Sequence, residues 1–137
     1  RDKIDSVHDF LTGWLNRTVP RTATIYAPFA AGLDREFTSI SPSEEVTICD
    51  DIVADIEGAH GGRGSDANPF RIRIERPRIQ VAMQAYVMET YEERQGTGGA
   101  ITARLSSVLF RRDGTRSSGL RWRHLHETWL PGHAPAD

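Results

Sequence analysis

Ile4, Val7, Phe10, Leu11, Trp14 and Leu15 recur at steps of three, three, one, three and one. That spacing lays one apolar stripe along a helix and predicts a helix ending near Asn16. PRTATIYAPFAAGL (20–33) predicts a shorter second helix. Pro20 suits its first turn, Gly32 its stop, and Pro28 is expected to kink or split it. EFTSI (36–40) reads as a short strand. SPSEEVTICDDIVADIEGAHGG (41–62) predicts a third helix, capped by Ser43 with Glu44 and Glu45 in its first turn. Val46, Cys49, Val53 and Ile56 would form its buried face. GGRGSDANP (61–69) predicts a flexible loop.

From Phe70 the period changes to two. FRIRIERPRIQV (70–81) alternates apolar residues with arginine, as a half-buried strand does, and Pro77 calls for a bulge or an edge. AYVMETYEER (85–94), AITARLSSVLFRR (100–112) and LRWRHLHETWL (120–130) follow as strands, with DGTRSSG (113–119) turning the chain between the last two. On the last strand Leu120, Trp122, His124, His126 and Thr128 share one face, expected to look toward the helices. Arg121, Arg123, Leu125, Glu127 and Trp129 share the other, expected to meet solvent or a second subunit. No internal repeat or long linker appears, so residues 1–130 form one expected domain and 131–137 a loose tail. Helices first and an antiparallel meander afterwards give an α+β class: about three helices on one face of a strongly curved sheet, with a hollow between.

Composition narrows the partners. The chain has 137 residues, enough for one core, with 17 basic and 19 acidic residues and a formal charge of -2. That balance argues against nucleic acid or an anionic membrane as a general partner. Arginines recur on the strands, and Lys3 is the only lysine, which leaves room for a local anionic ligand. The single Cys49 excludes an intramolecular disulfide and a cysteine zinc cluster, and a lone thiol fits a cytoplasmic setting. No apolar run reaches the roughly 20 residues of a membrane helix.

Candidate chemistry gathers on the inner surfaces. His124 and His126 suit proton transfer near neutral pH. As a metal pair they would need a third protein ligand, and His8, His60 and His133 are not spaced to supply one, so no metal or cofactor is expected. Tyr26 and Tyr86 would donate hydrogen bonds to a developing oxyanion. Trp14, Phe37 and Trp122 would line an apolar pocket. GGRG (61–64) lacks the phosphate-loop pattern.

In order and spacing, DREFTSISPSE (34–44), RPRIQV (76–81), AYVMETY (85–91), VLFRRDG (108–114) and HLH (124–126) resemble segments of the nuclear-transport-factor-2-like (NTF2-like) superfamily. That superfamily includes the SnoaL-like and ketosteroid-isomerase-like proteins, and the segments most resemble the association domain of calcium/calmodulin-dependent protein kinase II and its bacterial relatives. The resemblance implies a cone-shaped roll of the cystatin-like, ketosteroid-isomerase-like kind and a homodimer through the outer sheet face. It also implies pocket positions at Met88 and Ser107, where the association domain carries arginines; anion binding through those positions does not transfer. Asp34 and Glu36 would flank the implied mouth, where one could act as a base. Two functions follow. One is a small-molecule pocket for a cyclic or polyketide-like ligand, with cofactor-free isomerase or dehydratase-type proton transfer. The other is a non-catalytic dimerisation module with a vestigial pocket.

Overall fold

The computed structural model describes residues 2–64 and 67–135. Three helices, α1 (Asp2–Leu15), α2 (Ala23–Ala31) and α3 (Cys49–Gly58), pack on a sheet of β1 (Leu33–Ile40), β2 (Val46–Ile48), β3 (Phe70–Ala82), β4 (Tyr86–Thr97), β5 (Ala100–Arg112) and β6 (Leu120–Trp129). The strand order is β2-β1-β6-β5-β4-β3. Strands β3 to β6 form the antiparallel meander that their alternation predicts. β1 inserts parallel to β6, so the sheet is mixed rather than purely antiparallel. This α+β cone keeps its core between the helices and one sheet face, around Ile4, Trp14, Tyr26, Phe37, Tyr91, Phe110 and Trp122.

Local chemistry explains where the elements begin and end. α2 runs unbroken through Pro28, and both its ends are closed. The Thr22 hydroxyl accepts from Ile25 N, and Gly32 N donates to the Pro28 and Phe29 carbonyls. The third helix starts later than its pattern predicts. Residues 41–45 form a turn, with Glu44 at φ 69° and Ser41 N bonded to Glu45 O at 2.9 Å. That turn makes Val46–Ile48 a short strand paired with β1, and Val46 is exposed rather than buried. Asp50 and Asp51 then fill the first turn of α3. Asn16 ties the end of α1 to the start of β3: its amide donates to Phe70 O and accepts from Phe70 N, both at 2.6 Å.

Pro77 lies in a bulge on the edge strand β3, with Arg76 at φ 50°. In the glycine-rich connection expected over 61–69, residues 65 and 66 lie outside the described residues. After β6, Leu130 N donates to Ala103 O and Ala103 N donates to His133 O. Among the described residues, no helix is long and apolar enough to cross a membrane.

Candidate functional site

Cross-strand partners share a face, so the meander stacks its inner residues in rows. One row is Tyr91, Ser106 and Glu127; the next is Glu93, Arg104 and Trp129. Above them α1 lowers His8, which lies on the same helix stripe as Ile4 and Leu11. The result is a polar patch at one end of an otherwise apolar cavity of about 260 Å³. Val7, Leu11, Phe29, Phe37, Ile52, Trp122 and Leu125 supply apolar wall, while Ser39, Ser41 and Thr47 add hydroxyls.

The patch has an internal order. His8 Nδ1 lies 2.6 Å from Ile4 O, a group that only accepts, so Nδ1 carries a proton. His8 Nε2 lies 2.7 Å from Glu93 Oε1, and the Gln95 amide donates to Glu93 Oε2. Burial alone would lower the His8 pKa, but the hydrogen bond and charge of Glu93 raise it. Burial alone would raise the Glu93 pKa, but His8, Gln95 and Arg104 bring it down. The two form a buried imidazolium–carboxylate pair.

Glu127 is the opposite case. Burial, and then the charge of Glu93, raise its pKa against the pull of Arg104 and Ser106. Its own contacts are long: 3.3 Å to Arg104 Nη1 and 3.3 Å to Ser106 Oγ. Arg104 also stacks on Trp129, with 4.8 Å from its guanidinium carbon to the ring centroid. The Tyr91 hydroxyl is buried beside Ser106, without a hydrogen bond of good geometry among the described residues. Two adjacent carboxylates with pKa values pushed apart, one fixed and one loosely held, form an acid–base arrangement.

The two histidines of the last strand are elsewhere. Phe110 pairs with Trp122 and Leu109 with His124, so Arg123 is an extra residue on β6. This bulge reverses the alternation. Trp122 stays inside, His124 and His126 turn to the outer face, and Leu125 and Glu127 turn in. His124 Nδ1 instead meets the Thr38 hydroxyl at 2.7 Å, and His126 is exposed. Met88 and Ser107 are outer-face neighbours of these histidines, through the Met88–Leu109–His124 and Ser107–His126 pairings. They do not line the cavity.

Tyr86 also lies outside, opposite Arg111. Tyr26 is buried, but its hydroxyl is committed to Val53 O at 2.5 Å. Trp14 is core, donating to Ile56 O at 2.7 Å. Asp34 is paired with Arg111 and Glu36 with Arg123, both outside the cavity. Of the expected pocket residues, Phe37 and Trp122 are at the cavity wall. Sequence reasoning missed His8, Glu93, Arg104 and Glu127. The sign available for His8 was its place in the apolar stripe of α1. Among the described residues, no group of three or more His, Cys, Asp or Glu is arranged to hold a metal ion.

No family model and no curated protein matches the chain. Solved structures do. An NTF2-like protein of unknown function from Pseudomonas aeruginosa superposes with a TM-score of 0.82, covering 95% of this chain and 97% of that one at 24% identity. The chain has the NTF2-like fold. The same NTF2-like fold relates it to a candidate ketosteroid isomerase from Parabacteroides distasonis, at TM-score 0.61 and 14% identity over 94% of this chain and 86% of that one. It also relates it to ActVI-ORFA from Streptomyces coelicolor, at TM-score 0.59 and 16% identity over 93% and 95%.

Proposed function

We propose that the interior cavity binds a small, mainly apolar molecule and moves a proton on it without a cofactor, as an isomerase or dehydratase does. Glu127 is the acid–base group. The observation that carries this reading is the pair of carboxylates at the polar end of an apolar cavity. Glu93 is neutralised by His8, while Glu127 has a raised pKa and long, exchangeable contacts. A carboxylate in that setting takes a proton next to a carbonyl, and the nearby cations His8 and Arg104 favour the enolate that forms. A cavity of about 260 Å³ lies under the roughly 300–1,000 Å³ of drug-sized sites, which selects one- or two-ring ligands. The structural likeness to a candidate ketosteroid isomerase from Parabacteroides distasonis is consistent with this class of chemistry.

The test is deuterium exchange. One- and two-ring ketones are incubated with the protein in D2O, and loss of α-proton signal is followed by NMR. Glu127→Gln is expected to slow exchange by about 100-fold or more, with the melting temperature little changed. Exchange that survives in Glu127→Gln would remove Glu127 from the role. A panel that neither exchanges nor raises the melting temperature would sink the reading.

The outer sheet face supports a second inference, a homodimer. Ile48 (53% exposed), Val81 (43%) and Leu105 (38%) stand on this face together with His124 and His126. Six strands about 4.8 Å apart present enough area for the roughly 800 Å² per partner of a standard interface. Ile48→Asp is expected to convert a dimer to a monomer in sedimentation velocity. A wild-type protein that sediments as a monomer at high micromolar concentration overturns the dimer.

A further inference from the structure

We propose a second, separate site: an oxyanion-binding groove on the outer face, for the phosphate or carboxylate group of a small ligand. The groove, about 570 Å³, is lined by Asp34, Arg35, Glu36, Tyr86, Arg111, Asp113, Arg121 and Arg123. It lies across the sheet from the cavity, one row beyond the Met88–Leu109–His124 row. Arg111 and Arg121 stand directly opposite each other on β5 and β6, a like-charge pairing that costs stability unless something compensates it.

The compensation comes from beneath. Asp34 holds Arg111 Nε, and Asp113 accepts from Arg121 Nε at 2.6 Å and lies 3.9 Å from Arg111 Nη2. The Ala31 carbonyl accepts from Arg121 Nη1. Arg123 is fixed by the Glu36 carbonyl at 2.7 Å. These contacts preset the guanidinium positions and occupy one edge of each group. Arg111 Nη1 and Arg121 Nη2 keep no protein partner among the described residues.

Depth then decides the sign of the surface. The side chains of Asp34 and Asp113 are 8% and 13% exposed, whereas those of Arg111, Arg121 and Arg123 are 38%, 26% and 27% exposed. The acids are inside and the cations outside, so the groove presents positive charge although its residues nearly balance. Its one exposed acid is Glu36, 79% exposed, with a long 3.4 Å contact to Arg123 Nη2. An incoming oxyanion competes with that contact. Forked guanidinium donors suit the oxygens of a phosphate or carboxylate.

The full 15N-labelled chain is titrated with inorganic phosphate, sodium acetate and sodium chloride at matched ionic strength. Phosphate or acetate is expected to give saturable amide shifts at 34–36 and 121–123, and chloride none. Saturation by phosphate alone assigns a phosphoryl ligand; equal saturation by acetate assigns a carboxylate. Arg111→Gln/Arg121→Gln is expected to weaken binding about tenfold or more, as loss of charge-assisted hydrogen bonds does. That double variant strips the partner from buried Asp34, so Arg123→Gln and Glu36→Gln are measured beside it. Arg123→Gln weakens binding, and Glu36→Gln tightens it by about twofold or more. Shifts that chloride reproduces, or an affinity unchanged in folded Arg123→Gln, overturn the site.

Discussion

Trp14→Ala is expected to destabilise the protein by about 3–5 kcal/mol, the range for deleting a buried large aromatic. Trp14 is 1% exposed and touches both of the other helices. Its ring stacks on Phe10 at 5.6 Å, meets Tyr26 at 4.9 Å and stands edge-on to His60 at 4.6 Å. Its indole N–H donates to Ile56 O at 2.7 Å, tying α1 to α3. Alanine leaves a cavity and removes one of the two hydrogen bonds to the Ile56 carbonyl, which keeps only Ala59 N at 3.1 Å. Urea denaturation and thermal melting measure the effect. Trp14→Phe keeps the ring and loses the hydrogen bond, and should cost about 1–2 kcal/mol. A loss below about 1 kcal/mol for Trp14→Ala would mean that α3 is not held to α1 through this side chain.

The second large effect belongs to the buried pair. His8→Leu leaves Glu93 buried without its cation and is expected to cost about 3–5 kcal/mol, as breaking one side of a buried pair does. His8→Leu/Glu93→Gln should recover much of that loss, because no uncompensated charge remains.

The pH dependence has two limbs. His8 is raised above its ordinary 6.5, so its contribution is complete below that value and is lost as pH rises through the higher folded value. Glu93 is lowered from its ordinary 4.5, so its contribution is present above that value and is lost as pH falls through the depressed one. The pair therefore stabilises most between about 4.5 and 6.5. Glu127, with a raised pKa, also favours the lower side of neutral. Melting temperature against pH should show a weaker fall above 6.5 in the double variant than in the wild type. Identical profiles would mean that His8 is not an imidazolium in the folded protein.

The cavity and the pair belong to one design. A lone Glu127 would be an ordinary buried acid, and a lone Glu93 an expensive one. In the proposed function, His8 takes the charge of Glu93 and Glu127 is the carboxylate that exchanges a proton inside an apolar wall. The outer face is built on another principle, with carboxylates beneath and guanidiniums above.

Much of this protein was legible along the chain. The 3.6-residue stripe of α1, the two-residue alternation from Phe70 onward and the bulge at Pro77 are local matters. Each depends on neighbours a few positions away, and the structure has them in those places. The α+β class and the hollow followed, since an apolar stripe and an apolar sheet face must cover each other.

What the sequence could not decide was the side of the sheet on which its last strand points. Strict alternation puts His124 and His126 inside; one extra residue at Arg123, set by pairing with Leu109 and Phe110 on another strand, puts Leu125 and Glu127 there instead. Nor could it join His8 to Glu93, which lie 85 positions apart and meet because α1 crosses the inner row of β4. Periodicity is a short-range property and survives in any register. The site depends on register and helix placement, which are settled by contacts between elements far apart in the chain.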